Sequence, residues 1–255
     1  MLEIRKVSKS FGGLQAIKEL DLKVAEGEIV SVIGPNGAGK TTLLNLITGV
    51  YHPDTGEIMF QGQKIDRLPP DQIVARGIAR TFQNLRLFTQ MTVLENVLVA
   101  THQRQGSGLV ASVWSGKSHR KHEQIQREIA LEKLAFFGPR LQGYRLEQPV
   151  YVLSYANRRR VEMARAMATG AKLLILDEPS AGMNPSETLE IGDVVLKMRQ
   201  VGYTVLMIEH KMNLVQKVSD RVVVMDHGEK LLEGDYHTVV EDPQVIEAYL
   251  GKSDG

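Results

Sequence analysis

Apolar residues alternate with polar residues in the N-terminal part of this chain. The alternation is clear over residues 4–7 and 20–24, and its period of two is typical of half-buried strands. Residues 29–33 are almost wholly apolar and mostly β-branched, which predicts a strand buried on both faces. Weaker strand patterns follow at 57–60 and 64–65. The N-terminal part is therefore predicted to be rich in strands.

The C-terminal part alternates short apolar runs with segments of helical spacing. Strands are predicted at 173–176, 204–208 and 221–225, and helices at 159–169, 185–201 and 213–218. Strands that alternate with helices form a parallel sheet with crossover helices. The pattern therefore predicts an α/β fold with a mostly parallel sheet.

Helical spacing dominates the middle of the chain, from about residue 85 to residue 151. The two long helical patterns cover 91–101 and 122–135, and a shorter one precedes them at 70–79. Between the two long patterns, residues 105–118 are rich in Gly and Ser, which predicts a loop. We therefore expect a helical lobe inserted into the α/β core.

Composition excludes several classes of function. The 255 residues contain 31 Lys and Arg against 30 Asp and Glu, so no large field of one sign favours nucleic acid or a lipid surface as a partner. The chain has no Cys, which excludes disulfides, thiolate metal sites and cysteine nucleophiles. We read no signal peptide at the N-terminus and no run of about 18–20 apolar residues that could span a membrane.

A glycine-rich segment follows the predicted strand at 29–33. Its pattern, Gly34-x-x-x-x-Gly39-Lys40-Thr41, is that of a phosphate-binding loop, and a segment of helical spacing follows it. The glycines let consecutive backbone N–H groups turn toward one anion, and the helix N-terminus adds its positive end. Lys40 is suited to reach the β- and γ-phosphates, and Thr41 to offer its hydroxyl to Mg²⁺.

Two carboxylates follow the predicted strand at 173–176. Asp177 and Glu178 stand where the carboxyl end of a parallel strand meets the ligand-binding edge of an α/β sheet. Asp177 is suited to hold Mg²⁺, and Glu178 to polarise an attacking water. A strand can also end in polar residues that have no role in a site. Because the chain also has a phosphate loop at a strand end, a functional role for Asp177 and Glu178 is favoured.

Four further segments distinguish this chain from other phosphate-loop proteins. They are Phe82-Gln83 after the helical pattern at 70–79, Leu153-Ser154-Tyr155-Ala156-Asn157, Ala181-Gly-Met-Asn184 after the carboxylates, and His210 after the strand at 204–208. In this order the segments resemble the Q-loop, signature, D-loop and H-loop of the ATPase subunit of ABC (ATP-binding cassette) transporters. The resemblance extends over essentially the whole chain, with residues 34–41 as Walker A and 173–177 as Walker B.

The resemblance implies the architecture. The expected fold is α/β, with a P-loop (RecA-like) core containing a mostly parallel sheet, an N-terminal antiparallel β part and an inserted α-helical lobe. Residues 1–255 then form one nucleotide-binding domain. We divide it into an ATP-binding core of residues 1–84 and 160–255 and a helical subdomain of residues 85–159.

The resemblance also implies the cofactors, ATP and Mg²⁺, and the site residues. The implied catalytic residues are Lys40, Gln83, Glu178 and His210. The implied nucleotide-binding residues are Phe11, Gly34, Asn36, Gly37, Gly39, Lys40, Thr41, Thr42, Ser154 and Ala156. The implied metal ligands are Thr41, Gln83 and Asp177. From the residues alone, Phe11 is equally compatible with a core aromatic and Ser154 with a helix N-cap. A lone histidine such as His210 is more often a satisfied strand-end residue.

The signature segment departs from the usual Leu-Ser-Gly-Gly-Gln of the family. Tyr155 and Ala156 replace its glycines, and Asn157 replaces its glutamine. Ala lacks the freedom of Gly at positive φ, so Ala156 is tolerated only if its backbone is helical. In the D-loop, Asn184 stands where Asp is commoner. We expect the contact of Ser154 to be kept and dimer closure to be tuned.

In this family, ATP is held between the phosphate loop of one subunit and the signature of another. The implied partners are a second ATPase subunit, identical or related, transmembrane permease subunits and, indirectly, a substrate-binding protein, with no nucleic acid. The implied location is the cytoplasmic face of the plasma (inner) membrane, as a peripheral subunit.

Several strings resemble the importer ATPases for branched-chain amino acids. They are residues 80–88, 91–97, 208–212 and 242–251, together with Tyr155 in the signature. Urea or amide import, envelope-lipid export and a soluble non-transport ATPase remain alternatives. One group of apolar residues after Gln83 is compatible with either the core of the lobe or a permease-docking surface: Leu85, Leu87, Phe88, Met91, Val93 and Leu94.

Overall fold

The protein contains two β-sheets with helices packed on them. Its structure is a computed structural model that describes residues 1–101 and 116–250. The strands of the described residues are β1 (Leu2–Phe11), β2 (Leu14–Val24), β3 (Ile29–Ile33), β4 (Thr55–Phe60), β5 (Gln63–Lys64), β6 (Ile78–Arg80), β7 (Leu173–Asp177), β8 (Thr204–Ile208), β9 (Arg221–Asp226) and β10 (Glu229–Gly234).

Helices flank both sheets and build the middle of the chain. Within the same described ranges they are α1 (Lys40–Ile47), α2 (Pro70–Ala75), α3 (Val93–Thr101), α4 (Gly116–Ala135), α5 (Tyr155–Ala168), α6 (Pro185–Gln200), α7 (Met212–Val218), α8 (Tyr236–Val240) and α9 (Pro243–Leu250). Three short 3-10 turns connect α4 to α5. None of the helices in the described part of the chain is long and apolar enough to span a membrane.

The N-terminal sheet is antiparallel, with the order β2-β1-β4-β5. The second sheet has the order β10-β9-β3-β8-β7-β6, and its strands are parallel except for β10 at one edge. These sheets and the helical middle confirm the expected fold class.

The register of the parallel sheet aligns the ends of its central strands. Ile208 of β8 lies opposite Val32 of β3 on one side and opposite Asp177 of β7 on the other. The segments that follow these three strands therefore lie together at the carboxyl ends of the strands, where α/β sheets bind ligands.

The central strands are buried on both faces, as their continuous apolar runs predict. In β7, Leu173 and Ile175 pack with α1 and the N-terminal sheet, whereas Leu174 and Leu176 pack with α5 and α6. Each face of the sheet thus contributes to its own apolar core.

The structure corrects the helix predicted at 70–79. Helix α2 ends at Ala75, and the edge strand β6 follows at residues 78–80. Gly77 stops the helix because it has a positive φ of 102°, and its N–H donates to Val74 O at 2.9 Å. A strand of three residues is too short to show a period of two, so the pattern did not reveal it.

Two other boundaries differ from the predictions. Helix α5 begins at Tyr155 rather than at residue 159, and α4 begins at Gly116, inside the segment predicted to be a loop. Residues 105–115 of that predicted loop lie outside the described residues. The division at residue 159/160 falls within α5, a helix that packs against both α3 and α4. The division into core and helical subdomain remains a prediction.

Candidate active site

The glycine-rich loop connects β3 to α1 and depends on two glycines for its shape. A Cβ on Gly34, whose φ is 147°, would lie 2.0 Å from the carbonyl oxygen of Met225. A Cβ on Gly39, whose φ is 96°, would lie 2.6 Å from the carbonyl oxygen of Ala16. These close approaches exclude any side chain, so the sequence pattern reflects a steric requirement.

Lys40 lies inside this loop, at the first position of α1. Its Nζ donates to Gly34 O at 2.7 Å and to Pro35 O at 2.8 Å. Burial lowers the pKa of Lys40, and the nearby Glu178 and Asp177 carboxylates oppose this shift by raising it. The loop therefore presents a desolvated cation, held by carbonyl oxygens, next to two acidic groups.

A cleft of about 620 Å³ opens over the loop. Its predicted site residues are Phe11, Asn36, Gly37, Gly39, Lys40, Thr41, Thr42, Gln83, Glu178 and His210. Phe11 is 41% exposed and packs edge-on against Tyr51, with ring centroids 5.0 Å apart. It is therefore not a core aromatic, the alternative that the sequence left open.

Glu178 lies at the centre of a hydrogen-bonded group in this cleft. Gln83 Nε2 donates to Glu178 Oε2 at 3.0 Å, and His210 Nε2 lies 3.1 Å from Glu178 Oε1. Glu178 has a positive φ of 49°, and its N–H donates to Ile208 O at 2.9 Å. Non-glycine residues with this strained backbone cluster at functional sites. The structure thus brings together three residues that are far apart in sequence.

Asp177 is buried next to Glu178, and its partner Arg80 was not predicted from the sequence. Arg80, the last residue of β6, donates from Nη2 to Asp177 Oδ2 at 2.7 Å and from Nη1 to Asn45 Oδ1 at 2.7 Å. The side chains of Arg80 and Asp177 are only 5% and 7% exposed. Arg80 and Asp177 pair because β6 lies next to β7 in the sheet. The pair could have been predicted only if residues 78–80 had been recognised as a strand.

Glu209 and Lys211, on either side of His210, were also missed. Glu209 is buried and accepts hydrogen bonds from the N–H and hydroxyl of Ser180. Lys211 Nζ donates to Ser180 O at 3.0 Å and to Met183 O at 2.6 Å. These contacts attach residues 180–183 to the segment that carries His210. Nothing in the sequence pattern of this region distinguished the two residues.

The segment Leu153–Asn157 begins helix α5 and lies away from the cleft. Ser154 is the N-cap, and its Oγ accepts from Asn157 N at 3.4 Å. Ala156 is helical and buried, so alanine replaces glycine there without backbone strain. Among the described residues that line the cleft, none comes from this segment. The structure therefore does not bring Ser154 and Ala156 to the phosphate loop of their own chain.

Asn184 begins helix α6 with a capping box. Its side chain accepts from Glu187 N at 2.9 Å, and Glu187 Oε2 accepts from Asn184 N at 3.1 Å. Asn is among the best N-cap residues, which explains how this chain accommodates it at a position where Asp is commoner in the family.

We expect Asn184→Ala to lower the free energy of unfolding by about 1 kcal/mol, because the first turn of α6 loses its side-chain cap. Urea denaturation of the nucleotide-free protein measures the change. Ser186→Ala, an exposed substitution in the same turn, is the control and is expected to have no such effect. Equal losses in the two variants would contradict the capping role.

Comparison with known proteins identifies the family. Residues 17–181 match the ABC transporter family, and residues 229–255 match the branched-chain amino acid ATP-binding cassette transporter family. The chain is 42% identical over 259 aligned residues to BraF, a high-affinity branched-chain amino acid transport ATP-binding protein of Pseudomonas aeruginosa, with 99% of this chain and 98% of BraF covered.

The chain belongs to the ABC transporter family. The cassette is accordingly an ATPase, and it binds adenine nucleotide. It is similar to a solved nucleotide-free ATP-binding cassette from an ABC transporter, with a TM-score of 0.85, 32% identity and 99% of each chain covered. It is also similar to a dimeric cassette solved in a post-hydrolysis state with ADP and phosphate, with a TM-score of 0.76, 27% identity, and 92% of this chain and 99% of the other covered. Cassettes of this family dimerise and pair with membrane permease components.

Proposed function

We propose that this cassette is the ATP-hydrolysing subunit of an importer for branched-chain amino acids. The observation that carries the proposal is the likeness to BraF over 99% of the chain, extended by the match of residues 229–255 to the branched-chain transporter family. The substrate would contact the permease and a substrate-binding protein, and the cassette would supply the energy from the cytoplasmic face of the inner membrane.

The cleft would hold ATP along its length. Phe11, exposed at one end, would stack on the adenine, and the loop residues Gly34, Asn36, Gly37, Gly39, Lys40, Thr41 and Thr42 would surround the phosphates. The N-terminus of α1 points its positive end at the same place. Phosphate binding would give the Lys40 ammonium an anionic partner in place of two carbonyl oxygens.

Mg²⁺ fits the donor set next to this loop. Thr41 and Gln83 line the cleft, and Asp177, which directly precedes the cleft residue Glu178, is buried with one carboxylate oxygen paired to Arg80. Hydroxyl, amide and carboxylate oxygens are the ligands that Mg²⁺ prefers, and the ion would neutralise charge on the β- and γ-phosphates.

Hydrolysis would rest on the group around Glu178. The Glu178 carboxylate would act as general base toward the attacking water. Gln83 and His210 contact the two oxygens of this carboxylate and would orient it. His210 and Lys40 would stabilise the charge that develops on the γ-phosphate.

The second half of the site would come from a partner cassette. Ser154 and Ala156 do not line the cleft of their own chain, whereas Ser154 caps an exposed helix N-terminus that suits a γ-phosphate. In a two-fold dimer, α5 of each subunit would face the loop of the other, which gives two equivalent sites. The partner would be identical to this chain or closely related to it.

The permease would dock on an apolar surface beside the segment that follows Gln83. Of the apolar residues in this segment, Val93 and Leu94 are buried, but Phe88 is 51% exposed. Tyr151 and Val152 are also about half exposed, and Tyr151 N donates to Thr89 O at 3.1 Å, which places them beside Phe88. Exposed apolar patches of this kind mark interaction sites.

Uptake measurements test the proposal. We expect cells that carry Lys40→Ala in place of the native chain to lose uptake of labelled leucine, because the phosphate loop loses its cation. Lys23→Ala, at an exposed lysine of β2, is the control and is expected to leave uptake unchanged. Urea uptake is measured in parallel, and its loss without loss of leucine uptake would move the substrate to urea or amides. Unchanged uptake of both would contradict an importer of either kind.

A further inference from the structure

Arg159 is a fully buried arginine on helix α5 that the proposed chemistry does not use. It is 0% exposed, and its guanidinium makes four hydrogen bonds. Nη1 donates to Phe82 O at 2.5 Å and to Glu162 Oε2 at 2.8 Å. Nη2 donates to Gln83 O at 2.7 Å and to Tyr155 Oη at 2.9 Å. One side chain thus joins the first turns of α5 to the backbone of the segment that carries Gln83.

Glu162 completes this connection from the next turn of α5. Its Oε1 accepts from the N–H of Phe82 at 3.2 Å, while its other oxygen pairs with Arg159. Burial raises the pKa of Glu162, and the Arg159 charge opposes that shift. The N–H and carbonyl of Phe82 and the carbonyl of Gln83 are therefore all bonded to two side chains of one helix. The guanidinium bonds the two carbonyl oxygens through two separate nitrogens held in one plane, and the single ammonium nitrogen of a lysine cannot reproduce that arrangement.

Tyr155 extends the connection to the D-loop. Its ring lies beside the Arg159 guanidinium, at 5.6 Å from the ring centroid, and its hydroxyl accepts from Nη2. The ring also lies close to Gly182, where a Cβ would be 3.4 Å from Tyr155 Cε1. The tyrosine that replaces the first signature glycine thus has a structural partner in Arg159.

We propose that Arg159 is a positioning residue that holds the Gln83 segment to helix α5, so that the Gln83 amide and the Ser154 N-cap move as one unit. This inference rests on the proposed function, since it assigns both residues to the ATP site. If α5 moves when Ser154 contacts the nucleotide bound to the partner, Gln83 would move relative to Glu178. The two side chains are now hydrogen-bonded, with Gln83 Nε2 3.0 Å from Glu178 Oε2. Arg159 acts through Gln83 and does not touch the cleft.

Arg159→Lys tests the proposal, because it keeps a cation beside Glu162 but offers one nitrogen in place of the two that bond the carbonyls of Phe82 and Gln83. We expect ATP hydrolysis to fall by about ten-fold or more, because misplacement of a catalytic group by about 1 Å can cost 100-fold. Nucleotide affinity of the isolated subunit is expected to change by less than about two-fold, since the phosphate loop is untouched. Arg165→Lys on the same helix is the matched control and is expected to hydrolyse ATP at the wild-type rate.

A double-mutant cycle with Gln83→Ala separates positioning from a merely structural role. If Arg159 acts through Gln83, Arg159→Lys will cause little further loss of hydrolysis in the Gln83→Ala background. Independent, multiplying losses would overturn the proposal, as would a wild-type rate in Arg159→Lys. If Arg159→Lys does not fold, Tyr155→Phe takes its place in the cycle. We expect Tyr155→Phe to reduce ATP hydrolysis by a smaller factor. Fully additive effects of Tyr155→Phe and Gln83→Ala on the activation free energy would overturn the proposal. Absence of ATP hydrolysis by the wild-type protein would instead count against the proposed function.

Discussion

Glu178→Gln is expected to bind ATP normally and to accumulate as a closed dimer, with hydrolysis reduced by about 10²–10⁴-fold, the usual contribution of a general base. The substitution keeps the shape of the side chain and an oxygen that can accept from Gln83, so the cleft should retain its geometry. It removes the negative charge that would take a proton from the attacking water. ATP would then drive dimerisation without being consumed.

Two measurements check this result. Phosphate release gives the hydrolysis rate, and gel filtration with Mg-ATP gives the oligomeric state. Glu132→Gln, on the exposed side of α4, serves as the control and is expected to match the wild type in both. A Glu178→Gln protein that elutes only as a monomer in Mg-ATP would contradict the dimer mechanism, and one that hydrolyses ATP at the wild-type rate would exclude Glu178 as the base.

Arg80→Met is expected to lower the free energy of unfolding by about 3–5 kcal/mol, the cost of removing one partner from a buried ion pair. The Asp177 carboxylate is 7% exposed and would lose the cation that balances it. Asn45 would lose a hydrogen-bond donor as well, so the link between β6, β7 and α1 would be broken at one point. Methionine is close enough in volume that the loss reports the charge and the hydrogen bonds rather than a cavity.

Urea denaturation without nucleotide measures this loss. Arg5→Met is the matched control: Arg5 also pairs with carboxylates, those of Glu3 and Glu57, but its side chain is 56% exposed. Exposed pairs contribute little because water screens them. Equal stability of Arg80→Met and Arg5→Met would show that the Arg80–Asp177 pair does not stabilise the fold.

The sequence predicted the parts of this molecule that depend on local pattern. Long apolar runs predicted the central strands β3, β7 and β8 close to their observed limits, because strands buried on both faces have few polar positions. The glycine pattern located the phosphate loop, since close backbone approaches there exclude side chains. Recognition of the family was confirmed by the comparisons.

The contacts between distant segments could not be predicted in the same way. Arg80 pairs with Asp177 only because β6 lies next to β7, and β6 is too short to leave a periodic pattern. Arg159 stands in a run of three arginines, residues 158–160, a pattern typical of a solvated helix face, yet it is fully buried. Its burial depends on two backbone carbonyls and a glutamate that only the packed structure brings together, and charge alone gives no sign of them.

Because β3, β7 and β8 are aligned at Ile208, the length of the loops matters more at one end of these strands than at the other. Because this residue pairs with both Val32 and Asp177, the segments after β3, β7 and β8 have little freedom to lengthen without separating Lys40, Glu178 and His210. At the amino ends of the parallel strands, the turn before β8 has free space around it. At Gly202, in the turn before β8, a Cβ would meet nothing within 4 Å. Insertions that evolution or an engineer adds to this cassette should therefore be tolerated in the turn before β8 and rejected at the carboxyl ends of β3, β7 and β8.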